Sequence, residues 1–183
     1  MQRDLVEAAQ RGDHEAFEVL AAAAADRLFA IARLILQNRD GARDAVQEAL
    51  VNAWRELPRL RDPDRFSAWL HRLVVNACAD QGRHQRRWSA EVRMIRTEPE
   101  TGDGAQSLAD RDQLQRGFRR LKPEQRAVVV LHFYLGLPVP EVAETLGIPL
   151  GTAKSRLHYA IEALRAALEA DARVLIAPNG HTA

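Results

Sequence analysis

The chain has 183 residues, 46% apolar and 28% charged, enough for one medium domain or two small helical ones with a buried core. Its lone cysteine, Cys78, excludes an intrachain disulfide, no apolar run is long enough for a membrane span, and the opening MQRDLVEAAQRGD lacks the apolar stretch of a signal peptide; a cytoplasmic location without membrane insertion is expected. The formal net charge is only +1, yet His71 to Arg96 carries six Arg against Asp80 and Glu91, whereas Thr97 to Asp110 carries four acids and no base, so a polyanion-binding surface adjoins a segment of opposite sign.

Apolar spacing is helical nearly throughout, with no convincing period-2 strand, and the predicted fold class is all-α. A short helix is expected from Leu5 to Gln10, stopped near Gly12, then a long one from about Glu15 to Leu36 carrying Phe17, Leu20, Leu28, Ile31 and Ile35. The third, about Ala42 to Leu57, sets Val46, Leu50, Trp54 and Leu57 on one stripe and ends before Pro58. After the loop PRLRDPDR, a fourth helix repeats apolar residues at Phe66, Trp69, Leu70, Leu73, Val74 and Ala77, the cleanest amphipathic stripe in the chain. TEPETGDGAQS is acidic and lacks large apolar groups, which reads as a flexible linker, placed at 96–111. Further helices are expected at about Asp110–Leu121, Pro123–Tyr134, Val139–Leu146 and Leu150–Ala170, with a fraying tail at 171–183. Two helical domains follow, at 1–95 and 112–170, with no internal repeat relating them.

The most specific local signal is VPEVAETLGIPLGTAKSRLH at 139–158, which has helix-turn-helix form. Gly147 can take the positive φ that closes the first helix, Ile148 fills the angle between the two, and Pro149 suits the start of the second. Ala153, Leu157, Ala160, Ile161, Leu164 and Leu168 make the inner stripe of that second helix. Its other face carries Thr152, Lys154, Ser155, Arg156, His158 and Tyr159, groups that can read base edges or grip phosphates in a major groove. A plain helical hairpin with a solvated polar face is the alternative from this segment alone.

GIPLGTAKSRLHYAIEALRAAL, with the preceding LKPEQRAVVVLHFYLGLPVPEVAETL, resembles region 4 of the extracytoplasmic-function (ECF) sigma factors, a subfamily of the sigma-70 type. DAVQEALVNAWREL at 44–57 is similar to the region 2 helix that docks on the polymerase clamp, and FSAWLHRLVVNACADQGRHQRR at 66–87 resembles the helix that melts and reads the −10 element. The resemblance spans most of the chain, in the family's order. It implies a region 2 bundle and a region 4 helix-turn-helix domain, with core RNA polymerase (clamp helices and flap) and promoter DNA as partners and an anti-sigma factor as regulator. No cofactor, metal, catalytic residue or small-molecule substrate is implied.

The same resemblance assigns roles residue by residue. Asp44, Gln47, Glu48, Asn52 and Arg55 would face the polymerase, although by composition alone they are an ordinary charged solvent face. Arg72, Asn76, Asp80, Arg83 and Arg87 form one polar stripe of the fourth helix. With Arg65 they would handle the −10 element, the pocket for an extruded base forming from Leu60 to Arg65 together with Asn76. Trp88 either stacks on DNA or anchors packing. The acidic linker is either a solvated tether or a nucleic-acid mimic in the polymerase cleft. The polar face of the last helix would bind the −35 element.

Two departures from the family pattern stand out. Pro138 and Pro140 replace the usual cap and acidic residue, so the first helix of the pair is expected to start late. His158 and Tyr159 also differ from the usual residues there, which leaves the −35 preference open. An enzyme reading has little behind it: the six His are scattered, and no phosphate loop, nucleophile elbow or metal-ligand spacing is present. A free-standing, dimeric DNA-binding regulator is the other alternative.

Overall fold

The computed structural model describes residues 1–91 and 108–176, with side chains described over 1–82 and 114–169. The described residues form eight α-helices and no strand: α1 Gln2–Gln10, α2 His14–Leu36, α3 Arg39–Glu56, α4 Phe66–Glu91, α5 Leu108–Arg120, α6 Pro123–Val129, α7 Val139–Leu146 and α8 Leu150–Ile176.

Local chemistry sets several of these boundaries. Asp13 accepts from the Ala16 N–H at 3.0 Å and starts α2. Asn38 accepts from the N–H groups of Asp40 and Gly41 and starts α3 three residues before the apolar pattern begins, which is the usual work of an N-cap side chain. Between α3 and α4 the chain makes two short 3₁₀ turns, Leu57–Arg59 and Pro63–Arg65, the second capped by Asp62.

Four expectations are corrected. The stretch expected as one helix over 123–134 winds as a π-helix from Val130 to Tyr134. Neither proline delays α7: it starts at Val139, with Pro138 as cap and Pro140 in the first turn, where a missing N–H costs no hydrogen bond. Helix α5 begins at Leu108, inside the span assigned to the linker. Helix α8 runs on to Ile176, so residues 171–176 continue the helix rather than fray. Residues 92–107, most of the expected linker, lie outside the described residues, as do 177–183 and the side chains of Arg83, Arg87 and Trp88.

Helices α1 to α4 pack around Val6, Leu28, Ile31, Ile35, Leu57, Leu70, Val74 and Val75, all at most 2% exposed. The four later helices have a smaller cluster of their own, Leu121, Val129 and Ala160, with Phe118, Leu157 and Leu164 against it. The two sets also meet. Ala127 and Val128 of α6, Val130 and Leu131 of the π-turn and Val142 of α7 belong to the larger cluster, and α6 and α7 touch α4. Gly82 of α4 faces Pro123 of α6, and a Cβ there would stand 4.0 Å from the proline ring, an ordinary contact distance.

Candidate functional site

Helix α3 does not bury the face its large apolar residues mark out. Its buried residues are Ala42, Ala45, Ala49 and Ala53, all 0% exposed. Four alanines on one side present almost no side chain, so α2 and α4 approach closely there. The stripe of Val46, Leu50 and Trp54 stays half-buried, and Val51 beside it is 43% exposed. With Phe17, Ala21, Ala25 and Phe29 of α2, this stripe lines an open apolar groove of about 710 Å³. Trp54 is held in it by ring contacts, with centroids 4.3 Å from His14 and 5.1 Å from Phe17. Asp26, Arg43, Gln47 and Arg55 supply its polar lining.

The five residues expected to meet the polymerase divide around this groove. Gln47 and Arg55 line it. Asp44 and Glu48 are exposed but stand outside it, a turn apart on the adjoining face, and Asn52 is half-buried beyond them. The groove itself was missed from sequence. Its signal was present in the four alanines, whose spacing of three and four marks a second inner face.

On α4 the apolar stripe is buried as expected at Phe66, Leu70, Val74 and Ala77, while Trp69 and Leu73 are half-buried. Cys78 is 0% exposed, and burial pushes its thiol up to about 12, which leaves it an inert packing group. Of the residues expected to handle the −10 element, Arg65, Arg72 and Asn76 are exposed, with Arg72 and Asn76 one helical turn apart. Asp80 is half-buried and engaged with a neighbour. The segment before α4 exposes Arg59, Arg61, Asp62, Asp64 and Arg65.

The helix-turn-helix closes as the sequence predicts. Gly147 takes φ +62° and ends α7, the Ile148 N–H donates to the Ala143 carbonyl at 3.0 Å, and the Pro149 carbonyl accepts from the Ala153 N–H at 3.1 Å. Helix α8 buries Ala153, Ala160 and Ala167, with Leu157, Ile161, Leu164 and Leu168 half-buried beside them. The small face is needed: a Cβ on Gly117 of α5 would lie 3.3 Å from both Ala167 and Leu164. Lys154, Ser155, His158 and Tyr159 are exposed, and Thr152 and Arg156 are half-buried. The Ser155 hydroxyl donates to the Thr152 carbonyl at 3.0 Å, so that proton is already used within the helix.

Comparison with known proteins agrees with this division. Residues 20–88 match the family model for sigma-70 region 2, and residues 111–164 match that for sigma-70 region 4. The ECF RNA polymerase sigma factor SigM of Mycobacterium tuberculosis is 34% identical over 153 residues, covering 84% of this chain and 77% of its own. Among solved structures, the sigma factor RpoE of Bartonella quintana, determined with the anti-sigma factor NepR, superposes with a TM-score of 0.70 at 25% identity over 85% of this chain and 98% of that one. CnrH, determined with the cytosolic domain of CnrY, superposes at 0.64 and 30% identity over 93% and 98%. A free-standing regulator would need only the second of the two matched regions. With both in order on one chain, and a relative of this identity over most of its length, the chain belongs to the ECF family of RNA polymerase sigma factors.

Proposed function

We propose that the chain binds core RNA polymerase and directs it to promoters by recognising −35 and −10 elements and promoting −10 melting, without itself catalysing a reaction. The observation that carries this reading is one chain with two open faces of opposite chemistry: an apolar groove on α2 and α3 and a polar, basic face on α8. Residues 1–95 hold the polymerase and the −10 element, with Gln47 and Arg55 at the docking groove, Asp44, Glu48 and Asn52 at its margin, and Arg65, Arg72, Asn76, Asp80, Arg83 and Arg87 toward DNA. Residues 112–170, extended by the rest of α8, hold the −35 element through Thr152, Lys154, Ser155, Arg156, His158 and Tyr159. The work is done in the cytoplasm, and no described helix is long and apolar enough to cross a membrane. Regulation by an anti-sigma factor is part of the proposal, supported by the similar RpoE structure determined with the anti-sigma factor NepR.

Run-off transcription tests the reading directly. Purified core polymerase plus this chain should yield promoter-dependent transcripts from a genomic library, and the chain without core should bind the same DNA weakly. Tight operator binding by the chain alone, with no transcript, would overturn it.

A further inference from the structure

We infer that α1 is a brace that sets the shape of the segment between α3 and α4, and that Gln10 and Arg3 are positioning residues for base selection at the −10 element. The inference rests on the proposed role of Leu60–Arg65 and Asn76 in capturing that base.

The contacts fall near both ends of the segment. The Gln10 amide donates to two carbonyls in it, Leu57 at 3.1 Å and Leu60 at 2.7 Å. The Leu57 carbonyl also accepts from the Leu60 N–H at 3.0 Å, so one half-buried side chain locks the first 3₁₀ turn. Further on, Arg3 donates through Nη1 to Asp64 at 2.7 Å, while its Nε is held by Glu7 at 2.9 Å. Just beyond the segment, in the first turn of α4, the Ser67 hydroxyl accepts from the Gln2 amide at 3.1 Å. Gln10 therefore holds the first half of the segment and Arg3 its last turn, while Gln2 ties α1 to the start of α4.

The brace is itself fixed, because Val6 and Ala9 of α1 are buried in the main cluster. The segment's own fixings are local: two 3₁₀ turns, one closed from Leu60 to Leu57 and one from Arg65 to Asp62, and the Asp62 cap on Asp64. Without α1, Leu60 to Arg65 would sample several shapes. A pocket selects among bases only if its polar groups are held within a few tenths of an ångström to about half an ångström of the productive geometry. Loosening the segment should cost discrimination before it costs binding.

The test uses holoenzyme assembled from core polymerase and full-length chain, with a fork-junction DNA library randomised at the −10 element. Gln10→Met keeps the side-chain length and removes the donor; Arg3→Asp breaks the ion pair, and Arg3→Asp with Asp64→Arg restores it reversed. Gln10→Met and Arg3→Asp should each lower the ratio of preferred to other bases about fivefold, somewhat under the tenfold that 1.4 kcal/mol represents. Core affinity and −35 binding should hold, and the double swap should recover at least half of the lost ratio. Asn76→Ala and Arg65→Ala run in parallel. If they shift base preference while Gln10→Met and Arg3→Asp do not, the brace is overturned and the pocket stands. If none of the four shifts it, the pocket reading falls and takes the brace with it. A lowered Tm with unchanged preference, or a double swap that recovers nothing, also overturns the positioning role.

Discussion

Helices α3 and α8 bury the same kind of surface and leave opposite kinds uncovered. Each turns a ridge of alanines inward, Ala42, Ala45, Ala49 and Ala53 on one and Ala153, Ala160 and Ala167 on the other. On α8 the remaining outward side is polar, with Lys154, His158 and Tyr159 in solvent. On α3 much of it is apolar again: Val46, Leu50, Val51 and Trp54 face a groove that the fold does not fill. Water accepts the first face at little cost. The second forgoes roughly 25 cal/mol for each Å² of apolar area left wet, a driving force that a protein partner can recover. A leftover polar face suits a polyanion, a leftover apolar face suits a protein, and one chain carries both.

Substitutions that separate the two faces test this contrast. The largest effect is expected from Val51→Glu, which places a charge in the groove at an already exposed position. Affinity for core polymerase should fall about 30-fold or more, the scale of an interface hot spot of about 2 kcal/mol, while −35 DNA binding is unchanged. Titration of labelled chain with core enzyme measures it, and unaltered affinity would remove the groove from the docking surface. Next, Ala49→Leu should cost about 1–3 kcal/mol of stability in urea unfolding by overfilling the alanine ridge, with Leu50→Ala costing less. The reverse order would mean that the inner face of α3 is misassigned.

On the polar side, Lys154→Ala should weaken −35 binding roughly tenfold and reduce the salt slope by about one if the ammonium meets a phosphate. Core affinity should not move. A smaller effect is expected from Asp44→Lys with Glu48→Lys, since both stand outside the groove and exposed charges contribute up to about 1 kcal/mol each. If this pair weakens core binding more than Val51→Glu does, docking centres on the acidic stripe. A last test concerns pH, where neither binding affinity should change. Burial, helped by the nearby Arg27 charge, pushes the His71 imidazole down to about 4 from the usual 6.5. Between those values the unfolded chain takes up a proton that the folded chain does not, so stability falls as pH falls through that window. His71→Gln should flatten the change without altering the ratio of the two binding affinities.

Much of this was legible in the order of residues. Helical periodicity gave all eight helices, and Gly147, Ile148 and Pro149 specified the hairpin angle, because turn chemistry is local. Capping was less visible: Asn38 extends α3 forward past the apolar pattern, and α8 runs on to Ile176 past the expected end at Ala170. The π-wound turn at Val130–Tyr134 was also hidden. There Val130 and Leu131 lie in the main cluster while Phe133 is left 63% exposed, and the turn packs against α2 and α7, which are distant from it or follow it in sequence.

The α3 face shows where the boundary lies. The sequence alone determined that α3 is a helix, that it has an apolar stripe at Val46, Leu50 and Trp54, and that polar residues flank it. Which apolar face goes inside could not be read from one helix, because large side chains and alanines both satisfy the pattern. Tertiary structure decided it. Helices α2 and α4 bring bulk of their own, in Leu28, Ile31, Ile35, Leu70 and Val74, the buried face of α3 is alanine, and its larger Val46, Leu50 and Trp54 stay half-buried at the groove.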